Sequence, residues 1–146
     1  MMPRADFHKA SPGSYQAMLA LSKYSSESGL EHSLLELVKT RASQINGCAF
    51  CLQMHTRDAR KAGESEERLH LLPAWRETPL YTPRERAALA WTEALTLLTD
   101  GHAPDAVYAE VSAQFSEEEI AKLTLAIAVI NSWNRIAVGL RFATRP

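Results

Sequence analysis

The stretch "EHSLLELVKTRASQINGCAFCLQMHTRDARKAG", residues 31–63, reads as two helices separated by one turn. Helical spacing of apolar residues predicts the first helix from about residue 31 to 45, with Leu34, Leu35, Leu37 and Val38 as its apolar stripe. Asn46–Gly47 is a turn signal, and the second helix follows it and ends near Gly63. Both cysteines of the chain, Cys48 and Cys51, therefore lie at the start of a helix that follows a tight turn.

The rest of the chain also contains sequence signals for helix starts. Ser11–Pro12 predicts a capped helix start, Thr82–Pro83 predicts another, and Ser116 with Glu119 forms a capping box for a last helix that runs to about residue 140. Residues 73–83 are predicted to be irregular. Apolar and polar residues do not alternate for long enough to indicate a strand. We therefore predict an all-α helical bundle.

The last predicted helix is apolar around most of its circumference. Its apolar residues are Ile120, Leu123, Leu125, Ala126, Ile127, Ala128, Val129 and Ile130. A helix that is apolar all round is buried on all sides, which in a chain of this size suggests neighbouring subunits. We therefore expect a homo-oligomer; a central core helix in a monomer is the alternative.

Length and composition limit the class of protein. The chain has 146 residues, of which 46% are hydrophobic and 23% charged, which fits one globular domain over residues 1–146. We expect a core over about residues 15–142 and an N-terminal arm over residues 1–11. A formal net charge of −1 gives no reason to expect nucleic acid or an anionic membrane as partner. Polar residues interrupt the most apolar stretch, and no secretory signal is evident, so a cytoplasmic protein is expected.

Cys48, Cys51 and His55 share one face if the whole segment is helical. At 100° per residue they fall within an arc of roughly 60°, and Cys51 and His55 are one turn apart. A helix N-terminus favours a thiolate, and a nearby histidine removes or holds the thiol proton. A reactive thiol beside a second cysteine is typical of a peroxide-reacting or disulfide-exchanging site.

Two other interpretations of this group remain. Zinc binds cysteine and histidine, but a structural site needs four ligands, and only Glu36 or His32 would be available to add one. Two small cysteines packed on a buried helix face, beside an unrelated histidine, would need no chemistry at all.

The two cysteines are favoured by different neighbours. The dipole of the helix favours Cys48 as the more acidic thiol, whereas His55 lies closer to Cys51.

The pattern Glu36, Cys48-x-x-Cys51-x-x-x-His55 resembles the AhpD-like alkylhydroperoxidases of the carboxymuconolactone decarboxylase superfamily. The stretches "RERAALAWTEALT" and "NSWNRIAVGLRF" resemble downstream helices of the same family. The resemblance covers about residues 15–142. It implies an all-helical fold and homo-oligomers, often trimers or hexamers, that reduce hydroperoxides without haem, flavin or metal.

The resemblance also implies a role for each residue. Cys51 would attack the peroxide, Cys48 would resolve it to a disulfide, and His55 with Glu36 would relay protons. A carboxylate that accepts a proton near neutral pH needs a raised pKa, and the neighbours Leu35 and Leu37 suggest the burial that would raise it. A dithiol or lipoyl-type reductant is expected.

One residue departs from the family pattern. Phe50 stands where well-studied members carry a histidine. Two alternative functions are a metal-binding or redox-sensing protein without turnover and a carboxymuconolactone decarboxylase, whose chemistry does not use a cysteine pair.

Overall fold

The structure, a computed structural model, describes residues 1–146 and is all-helical. Its elements are α1 (Phe7–Ala10), α2 (Pro12–Ser26), α3 (His32–Asn46), α4 (Ala49–Lys61), α5 (Glu66–Leu71), a 3-10 helix (Leu72–Glu77), α6 (Pro83–Thr96), α7 (Asp105–Gln114) and α8 (Glu117–Leu140). The all-α prediction is confirmed.

Helix α3 lies at the centre of the bundle. It packs against α4, α6 and α8, while α2 covers another side of α8 and α7 lies against α6. The largest apolar cluster joins these helices through residues such as Leu35, Val38, Trp91, Leu123 and Ile127. Because α4 and α8 both contact α3, the start of α4 is placed beside the C-terminal half of α8.

The turn between α3 and α4 follows the predicted chemistry. Gly47 has φ 65°, in the left-handed region where glycine is favoured, and ends α3. The amide of Cys48 donates to the carbonyl of Ser43 at 3.0 Å, which closes the turn. The chain then starts α4 at once, so the cysteines are held against α3.

Helix ends show where local signals hold. Both predicted capping boxes are present, Thr82 with Glu85 and Ser116 with Glu119. Ser11, however, does not cap α2, because its hydroxyl is hydrogen-bonded to that of Ser14 at 2.6 Å.

Two further predictions about elements differ from the structure. The arm includes helix α1, which was not predicted, and Asp6 caps it through the amide of Lys9. The segment predicted to be irregular begins inside a 3-10 helix that buries Trp75.

Helix α8 is long and apolar enough to cross a membrane by length and composition alone. In the structure it acts as a core helix, since Leu123, Ile127 and Ile130 are buried against other helices. In the single chain it is not buried on all sides, because Ala128 and Val138 are exposed. The predicted oligomer would cover this side; the assembly itself stays a prediction.

Candidate active site

The two cysteines form a disulfide at the start of α4. Cys48 and Cys51 have Cα atoms 5.3 Å apart, a normal separation for a disulfide, and both are buried. Cys48 has an extended backbone and is the N-cap of α4, where its Sγ accepts a hydrogen bond from the Cys51 amide at 3.3 Å. The expectation that Cys48 lies on the helix face is therefore wrong by one residue, since α4 starts at Ala49.

His55 and Glu36, the two residues to which the resemblance gives a proton relay, are in direct contact. His55 Nδ1 lies 3.1 Å from Glu36 Oε2, and both side chains are buried. An ionised carboxylate only accepts hydrogen bonds, so Nδ1 carries the proton and donates it to Glu36. The other ring nitrogen of His55, Nε2, is left free to accept a proton.

The ionisation of Glu36 differs from the expectation. Burial disfavours the carboxylate, but the hydrogen bond from His55 and the positive charges of His55 in its protonated form, Lys39 and His32 outweigh it. The pKa of Glu36 is therefore lowered from 4.5, not raised. Lys39 Nζ lies 3.6 Å from Glu36 Oε1, so the same carboxylate faces a histidine on one oxygen and an ammonium on the other. Glu36 fits the role of orienting His55 better than that of a neutral acid.

A cavity of about 320 Å³ lies among α2, α3, α4 and α8. Cys51 and His55 line it, but Cys48 does not. Most of its wall is apolar, with Leu19 of α2, Met54 of α4 and Trp133 of α8 among its lining residues. Leu19 and Met54 are partly exposed, which places the mouth of the cavity between α2 and α4.

Polar side chains behind the cysteines tie α3 to α8. Asn46 Nδ2 donates to Asn131 Oδ1 and to Asn134 Oδ1, each at 2.9 Å. Asn134, which is buried, donates in turn to Ser43 Oγ at 3.0 Å. This network holds the residue next to Gly47, so it fixes the turn that carries Cys48.

Three side chains could hold a cation. Ligand atoms of Glu36, His55 and Asp58 lie within 4.8 Å of one another. This is not the zinc set considered from the sequence, because the cysteine sulfurs are bonded to each other and take no part. The Lys39 ammonium beside Glu36 opposes a divalent cation at this place.

The sequence model of the Carboxymuconolactone decarboxylase family matches residues 12–94, which is more than half of the chain. This chain belongs to the carboxymuconolactone decarboxylase family. The matched residues include Glu36, both cysteines and His55.

Two relatives match this family member over nearly its whole length. The uncharacterized protein YdfG of Bacillus subtilis is 42% identical over 96% of this chain and 95% of its own length. The crystal structure of ATU0492 from Agrobacterium tumefaciens has a TM-score of 0.97 at 48% identity and 99% coverage of both chains. ATU0492 is a protein of unknown function for which an antioxidant defence role as AhpD has been suggested.

More distant structures share only the fold. The debrominase Bmp8 superposes with a TM-score of 0.81 at 18% identity, covering 94% of this chain and 74% of Bmp8. The helical bundle of this family is thus found in proteins of different chemistry, and the site must indicate the reaction.

Several residues of the candidate site in this family member were not predicted from the sequence. Lys39 is one turn after Glu36, and Asp58 is three residues after His55, so helical spacing could have placed both near the site. Phe142 and Tyr15, which also line the cavity, have no local signal, because only tertiary packing brings them to Cys51.

Proposed function

We propose that this protein is a cysteine-based peroxidase that reduces hydroperoxides through a Cys48–Cys51 dithiol and disulfide cycle. The observation that supports it most is the row Cys51, His55 and Glu36, in which a cysteine and a histidine share one cavity wall and a buried carboxylate orients the histidine. A thiol beside a base that is itself oriented by a third group is the usual arrangement of an activated nucleophile.

Cys51 is proposed as the attacking thiol. It lines the cavity, whereas Cys48 does not, and it is one turn from His55. Both cysteines are almost fully buried, and this cavity is the proposed route by which a peroxide reaches the sulfur of Cys51. Access through the cavity therefore supports Cys51 as the attacking thiol, although the helix end would favour Cys48 as the more acidic thiol.

The reaction needs two electrons for each peroxide. The Cys51 thiolate attacks one oxygen of ROOH; the S–O bond forms, the O–O bond breaks, and RO⁻ takes the proton held by His55 and leaves as ROH. Cys48 then attacks the sulfenic sulfur of Cys51, the S–S bond forms, and the hydroxyl group leaves as water with the thiol proton of Cys48. The resulting disulfide is the state that the structure contains.

A dithiol or lipoyl-type compound is proposed as the reductant. It would reopen the disulfide by thiol exchange through a mixed disulfide and would itself become oxidised. This cycle suits the reducing cytoplasm, where a cysteine pair of this kind is expected to be catalytic. The reductant and the location both stay predictions.

A homo-oligomer, a trimer or a hexamer, is proposed as the working form. Large apolar side chains are exposed on the single chain, among them Leu98 (50%), Tyr108 (45%) and Val138 (49%). Light scattering on the purified protein tests this, with a mass of three or six chains expected. A monomer at micromolar concentration would contradict it.

Cysteine variants test the proposed reaction. Peroxide turnover is measured with several dithiols for the wild type, Cys51→Ser and Cys48→Ser, while mass spectrometry follows the thiols. Cys51→Ser should show no turnover. Cys48→Ser should consume one peroxide and stop with Cys51 oxidised.

Three outcomes would contradict the assignment. Full turnover by Cys51→Ser would show that another group attacks the peroxide. Stoichiometric zinc in the purified protein, without turnover, would favour the metal-binding alternative. Activity on a carboxymuconolactone that survives the loss of both cysteines would favour the decarboxylase.

A further inference from the structure

A second cavity adjoins the one at Cys51. It has a volume of about 300 Å³ and lies between the N-terminal arm and the residues that follow α8. Tyr15, Phe50 and Phe142 line both cavities. We call the cavity at Cys51 the inner cavity and the second one the outer cavity.

Aromatic side chains form the boundary between the two cavities. The rings of Phe50 and Phe142 meet edge to face with centroids 5.2 Å apart. The ring centroid of Phe7 in α1 lies 6.2 Å from that of Tyr15 and 6.5 Å from that of Phe142. The partition therefore depends on side chains that can change rotamer without a change of the helices.

The inner cavity has no uncommitted charge. Lys39 is paired with Glu36. The hydroxyl of Ser22 accepts from Trp133 Nε1 at 2.7 Å and donates to the carbonyl of Met18 at 2.8 Å. Since the Lys39 charge is paired and most of the wall is apolar, this cavity suits an apolar segment of a ligand.

The outer cavity has one uncommitted charge. Arg141 lines it, is half-buried, and its guanidinium makes no hydrogen bond or ion pair within the chain. The acidic residue of this cavity, Asp6, already accepts from the Lys9 amide at 3.0 Å and faces the Lys9 ammonium at 3.8 Å. His8 lies against the ring of Tyr15, with centroids 4.6 Å apart. An unpaired guanidinium beside an apolar cavity fits a carboxylate, which arginine binds with two parallel hydrogen bonds.

Size decides whether one ligand uses both cavities. An apolar cavity of about 150 Å³ holds one benzene-sized group, so the inner cavity holds a segment of roughly a dozen carbon atoms. A longer chain with a reactive group at Cys51 has room to extend past the aromatic boundary into the outer cavity.

We propose that the substrate is the hydroperoxide of a long-chain unsaturated fatty acid, with its peroxide at Cys51 and its carboxylate at Arg141. The chain carries the peroxide in its middle, so the apolar end fills the inner cavity and the carboxylate end crosses the boundary at Phe50. This inference rests on the proposed peroxidase function, and it gives Phe50 a task as part of the boundary.

The kinetic test compares three substrates: linoleic acid hydroperoxide, its methyl ester and cumene hydroperoxide. Arg141→Gln removes the charge, Arg141→Lys keeps it, and Arg57→Gln is the control. Arg57 is also half-buried and unpaired but lines neither cavity. Wild type should prefer the acid over the ester by about tenfold in kcat/KM, as expected for one charge-assisted contact.

The expected pattern is specific to the acid. Arg141→Gln should remove the preference through KM and leave the ester and cumene hydroperoxide unchanged, and Arg141→Lys should restore part of it. Arg57→Gln should behave as wild type. Equal kcat/KM for acid and ester in the wild type, or an equal loss on all three substrates in Arg141→Gln, would overturn the inference.

A binding measurement separates this inference from the peroxidase proposal. Titration calorimetry follows linoleic acid, which has no peroxide, and its methyl ester. Acid binding that is weakened by Arg141→Gln, without turnover of any hydroperoxide, would support the carboxylate site and overturn the peroxidase proposal. Turnover of cumene hydroperoxide without any binding of linoleic acid would support the peroxidase proposal and overturn the fatty-acid inference.

Discussion

Replacing Glu36 by glutamine keeps the size of the side chain and removes the charge that His55 and Lys39 both face. The hydrogen bond from His55 then goes to a neutral oxygen. Hydrogen bonds to charged groups contribute about 1.5–3 kcal/mol and neutral ones about 0.5–1.5 kcal/mol, so about 1–1.5 kcal/mol is lost. At 1.36 kcal/mol for each factor of ten, activation of Cys51 through His55 should become about tenfold slower.

The same substitution also changes stability. Two charges 3.6 Å apart interact by about 4–5 kcal/mol at an effective dielectric constant near 20. Removing the buried carboxylate also removes the unfavourable free energy of burying it. Only part of the interaction energy is therefore lost from the stability of the protein. We expect the free energy of unfolding to fall by about 1–3 kcal/mol in urea titrations, because Lys39 is left mostly buried without its counter-charge.

The rate of Cys51 oxidation is measured by mixing reduced protein with hydroperoxide. The reaction is quenched at set times by alkylation, and mass spectrometry gives the fraction of oxidised protein. Glu36→Ala, which also removes the acceptor, should be slower by about 10²-fold, in the range for a lost proton-transfer arrangement. Glu110→Gln is the control, since Glu110 is exposed on α7 and has no ion pair. A Glu36→Gln rate within twofold of wild type, together with the expected loss of stability, would show that Glu36 only holds the fold.

Because the pKa of Glu36 is lowered, the effect of Glu36→Gln on the oxidation rate should depend on pH in a specific way. Wild-type Glu36 is ionised throughout pH 5.5–8, so the ratio of wild-type to Glu36→Gln rates should be constant there. The ratio should approach one only below pH 4.5, as wild-type Glu36 becomes protonated. A step in the ratio near pH 6–7 would mean that Glu36 titrates at neutral pH, as the sequence suggested.

Three further outcomes are expected. Asn134→Ala should lower the free energy of unfolding by about 2–3 kcal/mol in urea, because it removes a buried hydrogen bond to Ser43 and a partly buried one from Asn46 and leaves a small cavity. Gly47→Ala should lower it by about 1 kcal/mol, since φ there is 65°. Burial raises the pKa of Glu93, but its arginine contacts outweigh burial and lower it. The stability that ionised Glu93 contributes is therefore present above pH 4.5 and lost as pH falls through the lowered pKa. In urea titrations from pH 6 to 3, the free energy of unfolding should fall less in Glu93→Gln than in the wild type.

Local signals were enough for most of the fold. The turn at Gly47 and the caps at Thr82 and Ser116 depend on residues within four positions of one another, and the structure contains all three. Ser11 fails as a cap because a neighbouring hydroxyl offers it a competing partner. Helix α1 was missed because it is one turn long, and its Phe7 is held by rings that are distant in sequence.

The candidate site could be predicted in part. Spacing placed His55 beside Cys51, and the resemblance to a family added Glu36, which the structure brings to 3.1 Å from His55. The roles of these residues stay predictions. The expected rise in the pKa of Glu36 was wrong. The apolar neighbours Leu35 and Leu37 suggested burial, but they gave no information on the hydrogen bond from His55 or on the Lys39 ammonium, which help to lower the pKa.

The position of Cys48 resolves the competition between the helix end and the histidine. As N-cap, Cys48 keeps its backbone in place through its carbonyl, which accepts the Leu52 amide at 2.9 Å, whatever its sulfur does. Its Sγ faces the amides that stabilise a thiolate. On the proposed cycle Cys48 must attack the sulfenic sulfur of Cys51, whose Cα is only 5.3 Å away, so the disulfide closes without unwinding α4. In the proposed cycle, the helix end would therefore activate the resolving thiol of Cys48 and His55 the attacking thiol of Cys51.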